Sequence, residues 1–300
     1  MIDFNLIQIG DKLWADPLIR SANMSGSHQN FSTIFTWAYI NNYRVAQVNN
    51  HLVVKLNVDN NEGYYFPAGT GDVKPVLDEM IKDATDNNHD FYLYALSREN
   101  QQVMENLYPG QFNFEYERSF YDYVYDLNKL VTLSGKKLHS KRNHINAFMR
   151  DNKKWRFELI TDENVEDCKK MNELWCKEAG CADDDGLKND HCATRRYFKY
   201  RKELGVEGAL IKIENDVVAF TIGEVLNSNT YVIHVEKSFR DVQGGYTMIN
   251  REFAEYVQKT HPDIIWMNRE EDMGEKGLRK AKESYYPDKM EEKCWAVMKK

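Results

Sequence analysis

Apolar and polar positions recur along this chain with two periods, near two and near 3.6 residues, and the second half separates them most clearly. "VEGALIKIEN" and "DVVAFTIGEVL" read as strands joined at a turn, and "NTYVIHVEKS" as a third strand. "GGYTMINREFAEYVQ" changes to helical spacing, with Met248, Ile249, Phe253, Tyr256 and Val257 on one face. "DIIWMN" is a short, nearly continuous apolar run, as a buried strand should be. "EKGLRKAKESY" is a helix stopped before Pro287, and "KMEEKCWAVM" is a closing strand. Upstream, the strand "WRFELI" precedes the helices "DENVEDCKKMNELWCKEA" and "DHCATRRYFKYRKEL".

The first half repeats much of this order. "YRVAQVNNHLVVKLNV" is a hairpin across Asn49-Asn50, and "GYYFPAG" is a strand with a turn after it. The helix "DVKPVLDEMIKDA" begins at Asp72, "DFYLYALS" is a buried strand, and the helix "RENQQVMENLYPG" stops at Pro109-Gly110. "FNFEYERSFYDYVYDL" supplies the closing strands of this half. Two echoes point to a duplication: "LSRENQQ…LYPG" against "MNREEDM…YYPD". Each puts Arg-Glu just after a buried strand and Tyr-Pro at the end of the next helix. The expected organisation is a domain over residues 1–126, a bridging helix region over 127–154, and a second domain over 155–300.

Charge singles out the join. The chain carries a formal net charge of -7. Residues 1–126 hold 8 Lys/Arg against 17 Asp/Glu, residues 127–160 hold 9 against 2, and residues 161–300 hold 23 against 28. A positive field confined to one short segment suits a local anion site and argues against coating DNA or RNA generically. On a helical wheel over about Gly135 to Asn152, Leu138, Ile145 and Met149 form an apolar stripe flanked by Phe148. Lys137, Lys141 and His144 stack beside it. Arg142 falls within the stripe and needs a partner, because a lone buried guanidinium is costly. A carboxylate is the expected partner, with a substrate phosphate as the other candidate.

No window reaches the roughly 18 uncharged apolar residues of a membrane span, so stable membrane insertion is not expected. The N-terminus lacks the pattern of a secretory signal. Five cysteines in a chain too large to need staples suggest a reducing cytoplasm. Cys168, Cys176, Cys181, Cys192 and His191 have irregular spacing and no C-x-x-C, so no metal site is expected. "CADDDGLKNDHC" lacks calcium-loop order, and neither a nucleophile elbow nor a phosphate-binding P-loop occurs.

The order strand–strand–strand–helix–strand–helix–strand resembles the GNAT acyltransferase fold, here in tandem. "YDYVYDLNKLVTLSGKKLHSKRNHINAF", "HVEKSFRDVQGGYTMINREF" and "NREEDMGEKGLRKAKESYYPDKMEEK" resemble the family related to the C-terminal domain of phosphatidylglycerol lysyltransferases. The resemblance implies an α/β (α+β) fold of two GNAT-like domains, each a mixed sheet flanked by helices. It implies a substrate site in the second domain and its junction with the first. It also implies aminoacyl transfer from tRNA to an amine or hydroxyl acceptor, such as a lipid headgroup or a peptide. No cofactor is required on this reading; the anionic donor is aminoacyl-tRNA or an acyl-CoA, and the acceptor is open. Two rival readings are an acetyl-CoA-dependent N-acetyltransferase and a non-catalytic protein that binds an anion or RNA.

Candidate residues follow. Strand alternation places His234 and Glu236 on one face, and either serves as the base that an attacking amine needs. In acyl-CoA-dependent GNAT enzymes the turn after this strand carries Gln/Arg-x-x-Gly-x-Gly/Ala. "RDVQGGYTMI" has Arg240, Gly244 and Gly245 at the wrong spacing, which weakens a CoA donor but leaves an anion site at a helix start. Asn268, Arg269 and Glu270 end the "DIIWMN" strand, where ligands gather in open α/β sheets. Asn268 is expected to donate to an oxyanion and Arg269 to clamp an anion, with an Arg269–Glu270 brace as the structural alternative. Tyr285 is a candidate proton donor to the leaving group. Lys137, Lys141 and Arg142 complete the candidate anion-binding set.

Overall fold

Asn49 (φ 44°) and Asn50 (φ 60°) both take left-handed backbone, as the tight turn of a two-residue hairpin requires, and they fix the register of the first strand pair. The computed structural model describes residues 2–58 and 60–299. It divides into two compact units: Met1–Asp122 with Glu271–Lys276 and Met290–Lys300, and Tyr123–Glu270 with Gly277–Lys289.

In chain order the first half contains β1 (Asn5–Leu6), α1 (Lys12–Ala22), α2 (Phe31–Asn41), β2 (Arg44–Val48), β3 (His51–Val58), β4 (Asn61–Tyr65) and β5 (Ala68–Gly69). It continues with α3 (Lys74–Asp86), β6 (Tyr92–Ser97), α4 (Arg98–Leu107) and β7 (Phe112–Tyr116). The second half contains β8 (Asp122–Asp126), α5 (Leu127–Thr132), α6 (His139–Asp151), β9 (Trp155–Leu159), α7 (Val165–Ala179) and α8 (Asp185–Leu204). Then come β10 (Glu207–Ile213), β11 (Asp216–Val225), β12 (Thr230–Ser238), α9 (Gly245–Thr260), β13 (Trp266–Asn268), α10 (Lys276–Glu283), β14 (Lys289–Glu291) and β15 (Lys293–Met298).

The strand pairing corrects the expected domain boundaries. The first sheet runs β1-β2-β3-β4-β6-β15-β7, with β5 beside β3; the second runs β14-β8-β13-β12-β11-β10-β9. The segment "KMEEKCWAVM" therefore splits. Its second part, β15, lies between β6 and β7 of the first sheet rather than closing the second domain. Conversely, β8 ("DYVYD") pairs with β13 of the second sheet rather than closing the first. Residues 127–154 belong to the second unit and are not a separate bridge. Each sheet thus takes one inner strand from the other end of the chain, and the duplicated order is preserved through this exchange.

Val53, Tyr64, Leu77, Met80, Leu93 and Met104 fill the core of the first unit, as the alternation of β3 and β6 and the helical spacing of α3 dictate. Phe220, Tyr231, Met248, Ile249 and Phe253 are buried in the second unit. Helix α6 begins at His139, later than expected. It buries Ile145, Ala147 and Phe148 and leaves Met149 42 % exposed, so Phe148, not Met149, anchors it. Cys176 and Cys181 are joined by a disulfide at the end of α7, which departs from the reading of these cysteines as needing no staple. Among the described residues no helix is long and apolar enough to cross a membrane.

The first unit also buries a charge network. Lys293 donates to Asp122 (2.6 Å) and Glu271 (3.2 Å), and Ser27 donates to Asp122 through both its backbone N–H and its hydroxyl. Burial opposes the Lys293 charge, but Asp122 and Glu271 outweigh it and raise its pKa. Lys293→Met removes the Lys293 cation from the fully buried Asp122. We expect a loss of about 3–5 kcal/mol in urea denaturation. Adding Asp122→Asn should recover part of that loss; a double variant no more stable than Lys293→Met would refute the electrostatic account.

Candidate functional site

Parallel pairing of β12 with β13 is short. It runs Thr230–Trp266, Tyr231–Met267 and Val232–Asn268 and stops there. Past that point the two strand ends are bridged by side chains: His234 to Glu270 (2.9 Å) and Glu236 to Arg269 (2.7 Å). This is the carboxyl end of parallel strands, where backbone groups and side chains face a ligand.

The two bridges do not share a face. Ile222 opposes Val235 and Gly223 opposes Ile233, so His234 is the extra residue of a β-bulge. The bulge breaks the alternation that would have set His234 beside Glu236. His234 stacks on Tyr197 of α8 (centroids 5.0 Å apart), whereas Glu236 accepts from Asn250 of α9 (2.9 Å). Gly223 is the sequence signal that could have revealed the bulge. A Cβ there would overlap the Val232 carbonyl, and glycine inside a strand often marks such a site.

The predicted role of His234 as a base is corrected by its partners. Its side chain is 1 % exposed, and its two ring nitrogens meet Glu270 (2.9 Å) and Glu224 (3.0 Å). Carboxylates on both nitrogens require both to donate, so the ring is an imidazolium without a free lone pair. Burial alone would lower its pKa, but the hydrogen bonds to Glu224 and Glu270 prevail and hold it up at about 9. Glu270 has a left-handed backbone (φ 56°), and its N–H donates to Asn268 Oδ1 (2.8 Å). Asn268 therefore shapes the strand end through its acceptor oxygen.

Glu236, Arg269, Tyr285 and Lys141 come together. The Arg269 guanidinium donates to Glu236 and lies over the rings of Tyr125 (5.6 Å) and Tyr285 (4.9 Å). Burial works against its charge, and Glu236 more than restores it. Its backbone is pinned as well: the N–H donates to the Tyr123 carbonyl (2.9 Å), and the carbonyl accepts from Lys282 (2.6 Å). Yet among the described residues Arg269 Nη1 is buried with no hydrogen-bond partner, and so is Asn250 Oδ1. Buried guanidinium nitrogens are normally satisfied, so Nη1 is a donor awaiting an acceptor. The Glu270 brace anticipated for Arg269 is replaced by Glu236. The echo residue Arg98 pairs instead with Glu292 on an exposed surface, so the two Arg-Glu motifs diverge in use.

Lys141 donates to Ser284 Oγ (2.6 Å), and its Nζ sits 3.9 Å from the Tyr285 ring centroid. Burial and the Arg269 charge lower its pKa to about 8, against a smaller opposing pull from Glu236. Burial raises the Tyr285 phenol to about 12, so it keeps its proton at neutral pH. Lys137 is exposed and stands over the Tyr286 ring (5.3 Å).

The remaining candidates serve packing. Arg142 donates to the carbonyls of Leu133 and Gly135 (the latter at 2.8 Å), capping the chain that leaves α5. Within the protein these backbone carbonyls, rather than the expected carboxylate, are its partners. A Cβ on Gly244 (φ 81°) would overlap the His144 carbonyl of α6, and one on Gly245 would overlap Ser238 Oγ. Close approach accounts for the absence of a side chain at both positions. Arg240 is exposed. Sequence reasoning missed Glu224, Tyr197, Asn250, Ser284 and Lys237. Lys237 is buried, donates to Asn172 (2.9 Å) and pairs with Asp190 (2.7 Å), and covers the Trp175 ring.

Two mixed sheets flanked by helices, each with a parallel strand pair, make this a tandem GNAT-like protein. The chain belongs to the family described as phosphatidylglycerol lysyltransferase, C-terminal, which it matches over residues 19–297. A conserved protein of unknown function from Bacteroides thetaiotaomicron is 33 % identical over the whole of both chains, with a TM-score of 0.94. The C-terminal domain of a putative lysylphosphatidylglycerol synthetase from Agrobacterium fabrum shares the fold at 13 % identity, covering 97 % of this chain and 92 % of that one (TM-score 0.69). FemX does so at 9 % identity, over 99 % and 98 % (TM-score 0.64). An uncharacterized protein of Mycoplasmoides gallisepticum is 21 % identical over 170 residues, 56 % of this chain, and the chain spans about half (53 %) of that relative's length.

The His234 clamp makes a pH prediction. Its folded pKa is raised, so its stabilisation is complete below the unfolded value of about 6.5 and falls as pH rises through about 9. Between pH 6 and 8, before Lys141 contributes, the melting temperature of the wild type should fall relative to that of His234→Gln. Parallel curves for the two proteins would contradict the imidazolium assignment.

Proposed function

We propose that this protein is a cytoplasmic acyltransferase that moves an aminoacyl group, carried as an ester on tRNA, to an amine or hydroxyl acceptor. The observation that carries this reading is the buried, unpartnered Nη1 of Arg269 beside Lys141 and Tyr285. An ester carbonyl under attack develops negative charge on oxygen, and a fixed guanidinium N–H in a water-poor site stabilises that charge without reorganising. Glu236 orients the guanidinium and keeps its burial tolerable. Tyr285, protonated at neutral pH, is placed to donate to the departing ribose oxygen.

Membership in a lysyltransferase family and the fold shared with FemX support aminoacyl over acetyl transfer. The spacing of "RDVQGGYTMI", which departs from Gln/Arg-x-x-Gly-x-Gly/Ala, supports the same preference. Exposed Lys136 and Lys137, leading into α6, offer charge to the donor's phosphates. Lipid headgroups and peptides are both acceptors of suitable chemistry. Stable membrane insertion and DNA binding are not part of this proposal.

Radiolabelled aminoacyl-tRNAs incubated with the protein and candidate acceptors provide the test. Wild type should form a labelled product, and Arg269→Lys should lower kcat by about 10²–10³-fold, the cost typical of removing an oxyanion donor. Saturable acetyl-CoA binding with acetyl transfer, and no use of aminoacyl-tRNA, would refute the donor assignment.

A further inference from the structure

The two groups that the sequence offered as a base are both engaged. His234 has a carboxylate on each nitrogen, and Glu236 has Arg269 on one oxygen and Asn250 on the other. Lys141 is different. It reaches the cluster from α6, donates to the neutral Ser284 hydroxyl, and among the described residues has no carboxylate within ion-pair distance. The Ser284 hydroxyl in turn donates to the Ala281 carbonyl (2.5 Å), so it receives the lysine's hydrogen bond without supplying a counter-charge.

The charged and titratable groups that face Lys141 are Arg269 beyond β13, Glu236 from β12 and Tyr285 after α10. Two cations therefore stand against one carboxylate, and that carboxylate is bound to the guanidinium. Arginine does not release its proton in proteins, whereas a desolvated lysine does so readily. If one of the two cations becomes neutral, it is the lysine. A neutral Lys141 amine carries the lone pair that the rest of the cluster lacks.

We propose that Lys141, as its neutral amine, is the proton acceptor for the attacking nucleophile in this site. The proposal rests on the acyl-transfer reading above. As the acceptor's nitrogen or oxygen bonds to the acyl carbon, its proton passes to Lys141 Nζ. The ester C–O bond then breaks, and the departing ribose oxygen receives a proton from Tyr285 or from the newly formed ammonium. When Tyr285 is the donor, Lys141 returns the proton to it. Each cycle converts acceptor–H and acyl ester into acylated acceptor and free hydroxyl, with Lys141 neutral again.

Two measurements test this. Trace amine acylation of the native wild-type protein across pH 6–11, read by mass spectrometry, reports the titration of each lysine without any substrate. Lys141 should titrate near 8; titration near the about 10.4 of an ordinary exposed lysine overturns the proposal. In the transfer assay, Lys141→Arg keeps the charge but cannot accept a proton, and activity should fall at least about 10²-fold. Small primary amines should partly restore Lys141→Ala, more so as their basicity rises. An active wild type with an equally active Lys141→Arg overturns the proposal alone. A wild type inert toward every acyl donor overturns the acyl-transfer reading, and the proposal with it.

Discussion

The ion pair between Glu236 and Arg269 is the constraint on which the site of the second unit depends. Backbone pairing between β12 and β13 ends at Val232 and Asn268, so the strands have no ladder to hold their ends beyond that point. Glu236 bridges the gap to a guanidinium that is 11 % exposed and would be intolerable there alone. The geometry of the pair leaves Nη1 buried without an acceptor. It also sets a second consequence, because the same guanidinium faces Lys141 and makes a second positive charge there expensive. One carboxylate thus stabilises one cation and, by being occupied, leaves the other free to become neutral.

The bulge at His234 separates structure from chemistry. Had β12 kept its alternation, the histidine would stand beside Glu236 and compete for Arg269. Instead it faces α8, stacks on Tyr197 and spends both nitrogens on Glu224 and Glu270. That network is saturated, with each hydrogen of the imidazolium matched to a carboxylate. The neighbouring network is not, since Arg269 Nη1 and Asn250 Oδ1 remain unmatched. Saturated buried networks specify a fold, whereas an unmatched buried donor is held at a cost that binding a substrate can relieve.

Local order was legible in the sequence, and non-local pairing was not. The Asn49-Asn50 hairpin and most of the order of strands and helices after α2 follow from period and turn chemistry. The exchange of β8 and β15 does not. Both segments alternate as well for one sheet as for the other, and nothing local states which neighbours they will find. The same limit hid Arg142's partners, since a wheel shows that a guanidinium needs company without showing that two backbone carbonyls supply it. Gly223 did carry a signal, because glycine in the middle of an apolar strand costs stability unless a close approach requires it.

The concentration of positive charge between Ser134 and Phe148 can now be divided by burial. Lys137 and Lys141 are four residues apart and look equivalent on a wheel, but α6 starts only at His139. Lys137 therefore lies before the helix, exposed over the exposed ring of Tyr286, where its charge is well hydrated and available to phosphates. Lys141 lies within the helix, over the buried ring of Tyr285, where hydration is lost and the nearest strong charge has the same sign. The two successive tyrosines that follow α10 impose this difference. One ring is exposed and the other buried, so two lysines that the sequence presents as one basic patch are sorted into a hydrated and a desolvated charge.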